Sequence, residues 1–112
     1  MDNRNEEELR ASFSNQPLMP YIGAKLSTIS PGRASIEVVY QNNITQQHGL
    51  SHGGVSGAIA DNAAGFAAMT LMDKEKEPLT IEFKINFLNI ADGEKPVAVS
   101  YTHLTLPTKR IV

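Results

Sequence analysis

The sequence predicts an α+β domain in which an antiparallel sheet wraps around one long central helix. Three observations predict it. Residues from Gly54 to about Leu71 are small or apolar with helical spacing, residues 22–40 alternate about a Pro-Gly turn, and residues 79–87 alternate strictly. A buried helix beside strands with one apolar face is satisfied when the sheet packs on the helix.

Leu9 and Phe13 stand one turn apart and predict a short amphipathic helix from Glu6 to about Ser14, which the Pro17–Pro20 segment ends. Ile22, Ala24 and Leu26 then alternate with polar or small neighbours. Beyond Ser30-Pro31-Gly32, so do Ala34, Ile36, Val38 and Tyr40, which gives a β-hairpin. Asn42 to Gly53 is polar and rich in breakers, hence a loop.

In the central helix Val55, Ile59, Asn62, Phe66 and Met69 follow the i, i+3, i+4 rhythm, and the other faces carry Gly and Ala rather than Lys or Glu. A helix small or apolar all round is expected to be buried. Gly57 and Gly65 each cost about 1 kcal/mol relative to Ala, so close approach to a sheet is expected to offset them. Asp73 to Pro78 is a charged connection. Leu79, Ile81, Phe83, Ile85 and Phe87 form the clearest strand pattern, Asp92-Gly93 marks a turn, and Val97, Val99 and Tyr101 predict a last strand after Pro96.

A chain of 112 residues makes one domain with one modest core. Its net charge of −2 and the lack of a basic stripe argue against nucleic acid as a partner. With no cysteine, disulfides, thiolate zinc sites and a Cys nucleophile are excluded. The start MDNRNEEELR is too polar for a secretory leader, and no apolar run reaches the length of a membrane span. The expectation is a cytoplasmic protein without membrane or nucleic-acid partners.

Asp61 is the only formally charged side chain between Glu37 and Asp73, and it lies within the Ala-rich helix. An unpartnered buried carboxylate costs several kcal/mol. Asp61 therefore either caps a buried backbone group, with Asn62 beside it, or faces a pocket as a reactive acid. Just before the helix, His52-Gly53-Gly54 leaves backbone N–H groups at a positively polarised terminus, suited to an oxyanion. Asp61 lies seven residues beyond Gly54, or ~10 Å of helical rise. Both groups must come within roughly 3 to 3.5 Å of one carbonyl. A two-fold dimer in which Gly53 of one copy faces Asp61 of the other meets that requirement.

The pattern Q-x-x-G-x-x-H-G-G followed by A-D, here Gln46, Gly49, His52, Gly53, Gly54, Ala60 and Asp61, resembles the hotdog-fold acyl-CoA thioesterases of the phenylacetyl-CoA and 4-hydroxybenzoyl-CoA type. The likeness runs over about residues 20 to 95 and includes LTIEFKINFLNIADGE. It implies hydrolysis of an acyl-CoA thioester. Asp61 would be nucleophile or general base, the Gly53 N–H would line the oxyanion hole, Gln46 would position water or the thioester carbonyl, and Thr80 would hydrogen-bond near the acid. His52 would shape the loop, with Gly54, Leu50 and Val55 also on the substrate side. Lining by Leu50, Val55, Ile59 and Phe66 would favour a hydrophobic or aromatic acyl group. The family implies a homodimer or a dimer of dimers with CoA bound at the interface; no cofactor or metal is expected.

Two departures stand out. Ile90 replaces a frequent proline, and family members continue through two further long strands where this chain runs into YTHLTLPTKRIV. The expected organisation is a helix and linker over 1–20, an incomplete hotdog domain over 21–101 and a tail over 102–112 that reads as foreign sequence after a truncation. Exposed strand surface would then favour aggregation. Two other functions fit the same residues: an acyl-thioester hydratase or dehydratase using His48 or His52 as base, and a binding module that holds acyl-CoA without cleaving it. A metal site on His48 and His52 is disfavoured by the glycines around them, which oppose a helical HxxxH.

Overall fold

The computed structural model describes residues 3–80, 82 and 84, and the backbone of 97–101. The elements are α1 (Glu6–Ser14), α2 (Leu18–Tyr21), β1 (Ala24–Ser30), β2 (Arg33–Val38), α3 (Gly53–Met69) and β3 (Val97–Tyr101), with a short 3-10 turn at Asn42–Ile44.

A reciprocal cap starts α1. The Asn5 side chain accepts from the Glu8 N–H at 2.8 Å, and the Glu8 carboxylate accepts from the Asn5 N–H at 2.9 Å. Leu9 and Phe13 are buried on one face of α1, as their spacing predicts. The prolines do not end helicity at once, however. Pro17 caps a single further turn, α2, in which Pro20 occupies the first turn, where a missing N–H breaks no helical bond.

β1 and β2 pair antiparallel from Ala24↔Val38 to Ser30↔Arg33 across the Pro31-Gly32 turn. Gly32 has φ +76°, which a type II turn requires of its third residue. A β-bulge between Leu26 and Thr28 shifts the register. Ala24 and Leu26 face the core, but past the bulge the inward residue is Ile29 rather than Thr28. Arg10 serves the irregular stretch by donating to the carbonyls of Leu26 at 2.7 Å and Ser27 at 3.3 Å. β3 pairs antiparallel with β2, Glu37↔Val97 to Arg33↔Tyr101, so the sheet order is β1-β2-β3.

Helix α3 packs across β2 and β3. Its Ile59, Ala63, Phe66, Ala67 and Met69 join Ala34, Ile36 and Val38 of β2 and Leu9 and Phe13 of α1 in one core. Phe13 meets Phe66 edge to face, with centroids 5.7 Å apart. At the end of α3 the buried Thr70 hydroxyl accepts the Gly32 N–H at 2.6 Å and donates to the Ala67 carbonyl at 2.7 Å, tying the helix to the hairpin turn.

Two expectations about α3 are corrected. The helix is not enclosed all round: in a single protomer Ala64 is exposed, and Ala60, Asp61 and Ala68 are only partly buried. Gly57 is buried, but a Cβ at Gly65 would meet nothing within 4 Å, so Gly65 faces open space rather than a sheet.

Of the alternating segment 79–87, Leu79, Thr80, Glu82 and Lys84 are described, and they belong to no strand. Leu79 is 86% exposed. The predicted strand therefore does not begin at Leu79; Leu79 and Thr80 prolong the connection from Asp73, with Thr80 drawn to the helix side chain discussed below. The rest of that segment, the Asp92-Gly93 turn, Ile90 and the tail 102–112 lie outside the described residues.

Candidate active site

Three segments converge beside the open face of α3. The helix supplies Asp61, Asn62, Gly65, Phe66 and Met69; the connection after it supplies Glu77 to Thr80; and the end of α1 supplies Ser12, with Gln16 just beyond. Together they line an open cleft of about 420 Å³.

At its centre Thr80 Oγ1 donates to Asp61 Oδ1 over 2.6 Å. Asp61 Oδ2 has no hydrogen-bond partner among the described residues. Asp61 thus faces a pocket rather than capping buried backbone, and Asn62 is occupied elsewhere. Asn62 Nδ2 donates to Gln16 Oε1 at 2.8 Å, and Gln16 Nε2 donates back to Asn62 Oδ1 at 3.0 Å. Such an arrangement leaves one carboxylate oxygen oriented by Thr80 and the other open for attack or proton transfer.

The other predicted residues gather at the N-terminus of α3. Gln46 closes the preceding loop: its N–H donates to the Leu50 carbonyl at 2.8 Å, and its Oε1 accepts from the His48 N–H at 2.6 Å. Gly49 takes φ +78° there, and its carbonyl accepts the Tyr40 hydroxyl at 2.6 Å. His52 is the N-cap of α3. Its Nδ1 accepts the Gly54 N–H at 2.8 Å, and its carbonyl accepts from Val55 and Ser56. A neutral His52 therefore carries its proton on Nε2. A Cβ on Gly54 would lie 3.0 Å from His52 Nδ1, so a larger residue there would press the capping ring aside by a few tenths of an ångström. The Gly53 N–H donates to no partner among the described residues and is left at the positive end of the helix.

Within one chain these two groups stay apart. Asp61 lies eight positions beyond Gly53, about 12 Å along the helix, and none of Gln46, Leu50, His52, Gly53, Gly54 or Val55 lines the Asp61 cleft. The expected apolar lining is also redistributed. Ile59 is core and Val55 packs against it, whereas Phe66 does reach the cleft. Gln16, Ser12 and Glu77 were not singled out by the sequence, because their part in the site depends on where α1 and the 73–80 connection come to lie. Among the described residues no three His, Asp or Glu side chains are grouped to hold a metal ion, and no helix is long and apolar enough to cross a membrane.

The geometry defines a helix-on-sheet domain with an acid in an open cleft and a bare backbone N–H at a helix end. Known proteins resemble this chain in sequence and in fold. A thioesterase family protein from Silicibacter pomeroyi is 44% identical and superposes with a TM-score of 0.78 over 81% of this chain and 67% of that one. A thioesterase from Haemophilus influenzae superposes with a TM-score of 0.75 at 19% identity, over 88% of this chain and 68% of that one, a likeness of fold. A candidate esterase from Saccharolobus solfataricus is 34% identical over 71 residues, 63% of this chain and 50% of its own length. Residues 48–102 match the thioesterase superfamily. The chain belongs to that superfamily, and its architecture is the hotdog fold. It spans about half the length of the curated relatives it matches.

Proposed function

We propose that the protein hydrolyses acyl-CoA thioesters to the free acid and CoA, with Asp61 as the reactive group. The carrying observation is the Asp61 carboxylate held by Thr80 at 2.6 Å on the wall of an open cleft. As nucleophile, Asp61 Oδ2 adds to the thioester carbonyl, the CoA thiolate leaves, and water cleaves the resulting anhydride. As general base, Asp61 takes a proton from a water that attacks the same carbonyl, and the tetrahedral intermediate collapses with cleavage of the C–S bond and departure of the CoA thiolate. In both routes negative charge develops on the carbonyl oxygen and needs an N–H donor.

That donor is the Gly53 N–H of a second copy, because the helical rise keeps a chain's own Gly53 about 12 Å from its Asp61. The exposed Ala64 and the partly exposed Ala60 and Ala68 on α3 support a homodimer, alone or as a dimer of dimers, with sites shared between copies. Gln46 and His52 hold the donor loop, which places Gly54, Leu50 and Val55 near the bound thioester. Phe66, Met69 and Leu79 in the cleft support a hydrophobic or aromatic acyl group.

Thiol release from short, long and aromatic acyl-CoAs, with Asp61→Asn as control, tests this function. Turnover by the parent and its loss in Asp61→Asn is the expected result; equal rates would overturn the role of Asp61. A protein that binds acyl-CoA without turnover would be a binding module.

A further inference from the structure

The Asp61–Thr80 contact joins α3 to a connection whose strand-type pairing among the described residues is confined to the isolated Asn3–Asp73 bridge, so other contacts must hold the connection in place. Arg4 makes most of the side-chain contacts that do so. Arg4, immediately before the α1 cap, has a side chain only 8% exposed, and it reaches three acceptors on the connection. Its Nη2 donates to the Lys76 carbonyl at 2.7 Å and to Glu77 Oε2 at 2.8 Å, and its Nη1 donates to the Asp73 carbonyl at 3.5 Å. The Lys76 N–H donates to that same Asp73 carbonyl at 2.9 Å, closing a turn. Asn3 bridges Asp73 through the backbone, and Lys74 pairs with Glu8 at 3.7 Å. On its other side α1 is fixed to the core by Leu9 and Phe13, and Gln16 just past it is paired with Asn62, the neighbour of Asp61.

We propose that Arg4 is a positioning residue for the reactive pair: it fastens the turn at Asp73–Glu77 to the α1 platform, and thereby sets Thr80, three residues beyond Glu77, at hydrogen-bonding distance from Asp61. The planar guanidinium suits the task, because one fork can serve two carbonyls and a carboxylate that lie in different directions. A lysine ammonium keeps the charge but cannot satisfy all three acceptors in the same fixed geometry. Arg4 touches no reacting atom; it acts through Thr80.

The proposal rests on the hydrolytic role assigned to Asp61, and two measurements separate the fates of the two ideas. First, kcat and KM for thiol release are compared in the parent, Arg4→Gln, Arg4→Lys, Thr80→Val and the Arg4→Gln/Thr80→Val double variant. Arg4→Gln is expected to lower kcat about tenfold with KM within about twofold, since small misplacements of reacting groups carry costs of this order. Arg4→Lys falls between it and the parent, and the double variant is no slower than the slower single. A kcat for Arg4→Gln within about twofold of the parent, or losses that multiply in the double variant, would overturn the proposal.

Second, amide hydrogen exchange is followed at Lys76, Glu77, Leu79 and Thr80 and, as reference, in β1 and β2. Faster exchange in the connection alone is expected for Arg4→Gln; no change there overturns the clasp even if turnover falls. If the parent turns over no thioester, the function proposed for Asp61 fails, and the exchange result alone decides the clasp. Should Arg4→Gln not fold, Arg4→Lys decides both comparisons, with the same directions expected.

Discussion

Thr80 Oγ1 lies 2.6 Å from Asp61 Oδ1, joining residues 19 positions apart across the edge of an open cleft. The bond occupies one oxygen of the acid and leaves the other facing the cleft. Thr80→Val should therefore lower kcat about tenfold while Thr80→Ser stays near the parent rate. Asp61→Asn should lower it by about 10²–10⁴-fold, the range for a proton-transfer group. Steady-state thiol release on one aromatic acyl-CoA checks both, and a Thr80→Val enzyme at full rate would leave the bond without a catalytic role.

The cap at the start of α3 couples two neighbours. His52→Ala removes the acceptor of the Gly54 N–H and should cost about 1 kcal/mol, the scale of a helix N-cap. Gly54→Ala drives a Cβ to 3.0 Å from His52 Nδ1, so it should destabilise the parent but be tolerated once residue 52 is Ala. Urea unfolding of the two singles and the double supplies the cycle. Additive losses would show that the two positions do not interact as their geometry requires.

Thr70 joins the end of α3 to the hairpin turn through two buried hydrogen bonds. Thr70→Val keeps the shape of the side chain but strands the Gly32 N–H, at a cost of about 1–3 kcal/mol. Thr70→Ser retains both bonds and should lose less. Denaturant midpoints at constant slope would settle the order of the three proteins.

Gly65 offers the opposite sign. Its added Cβ would meet nothing within 4 Å and would project toward the cleft. Gly65→Ala should therefore raise stability by about 0.5–1 kcal/mol through helix propensity and raise KM for bulky acyl groups by narrowing the cleft. A melting temperature below that of the parent would mean that this face is covered by something a methyl group displaces.

Much of the scaffold was legible in the chain. Leu9 and Phe13, the alternation of Ile22, Ala24 and Leu26 and of Ala34, Ile36, Val38 and Tyr40, and the run from Gly54 to about Leu71 are all local patterns, and they predict the elements observed with shifted ends: Ile22 caps α2 before β1 begins, Tyr40 lies beyond β2, and the central helix runs from Gly53 to Met69. The bulge at Ser27 was not legible, because the reversal of facing between Leu26 and Ile29 depends on where β2 pairs. The strictest alternation, from Leu79, did not mark the start of a strand among the described residues, since alternation records which face is apolar and not whether a partner strand lies alongside.

The isolated acid, the glycines that open the helix and the helix itself were determined by the sequence, because each shows within a few neighbouring residues. Tertiary structure decided that Asp61 opens into a cleft, that Thr80 holds it, that Asn62 turns to Gln16, and that Arg4 grips residues 73–77. Each of those hydrogen bonds links groups 19 to 73 positions apart. A hydrogen bond acts over about 3 Å, so only the folded path of the backbone can choose which distant groups come that close.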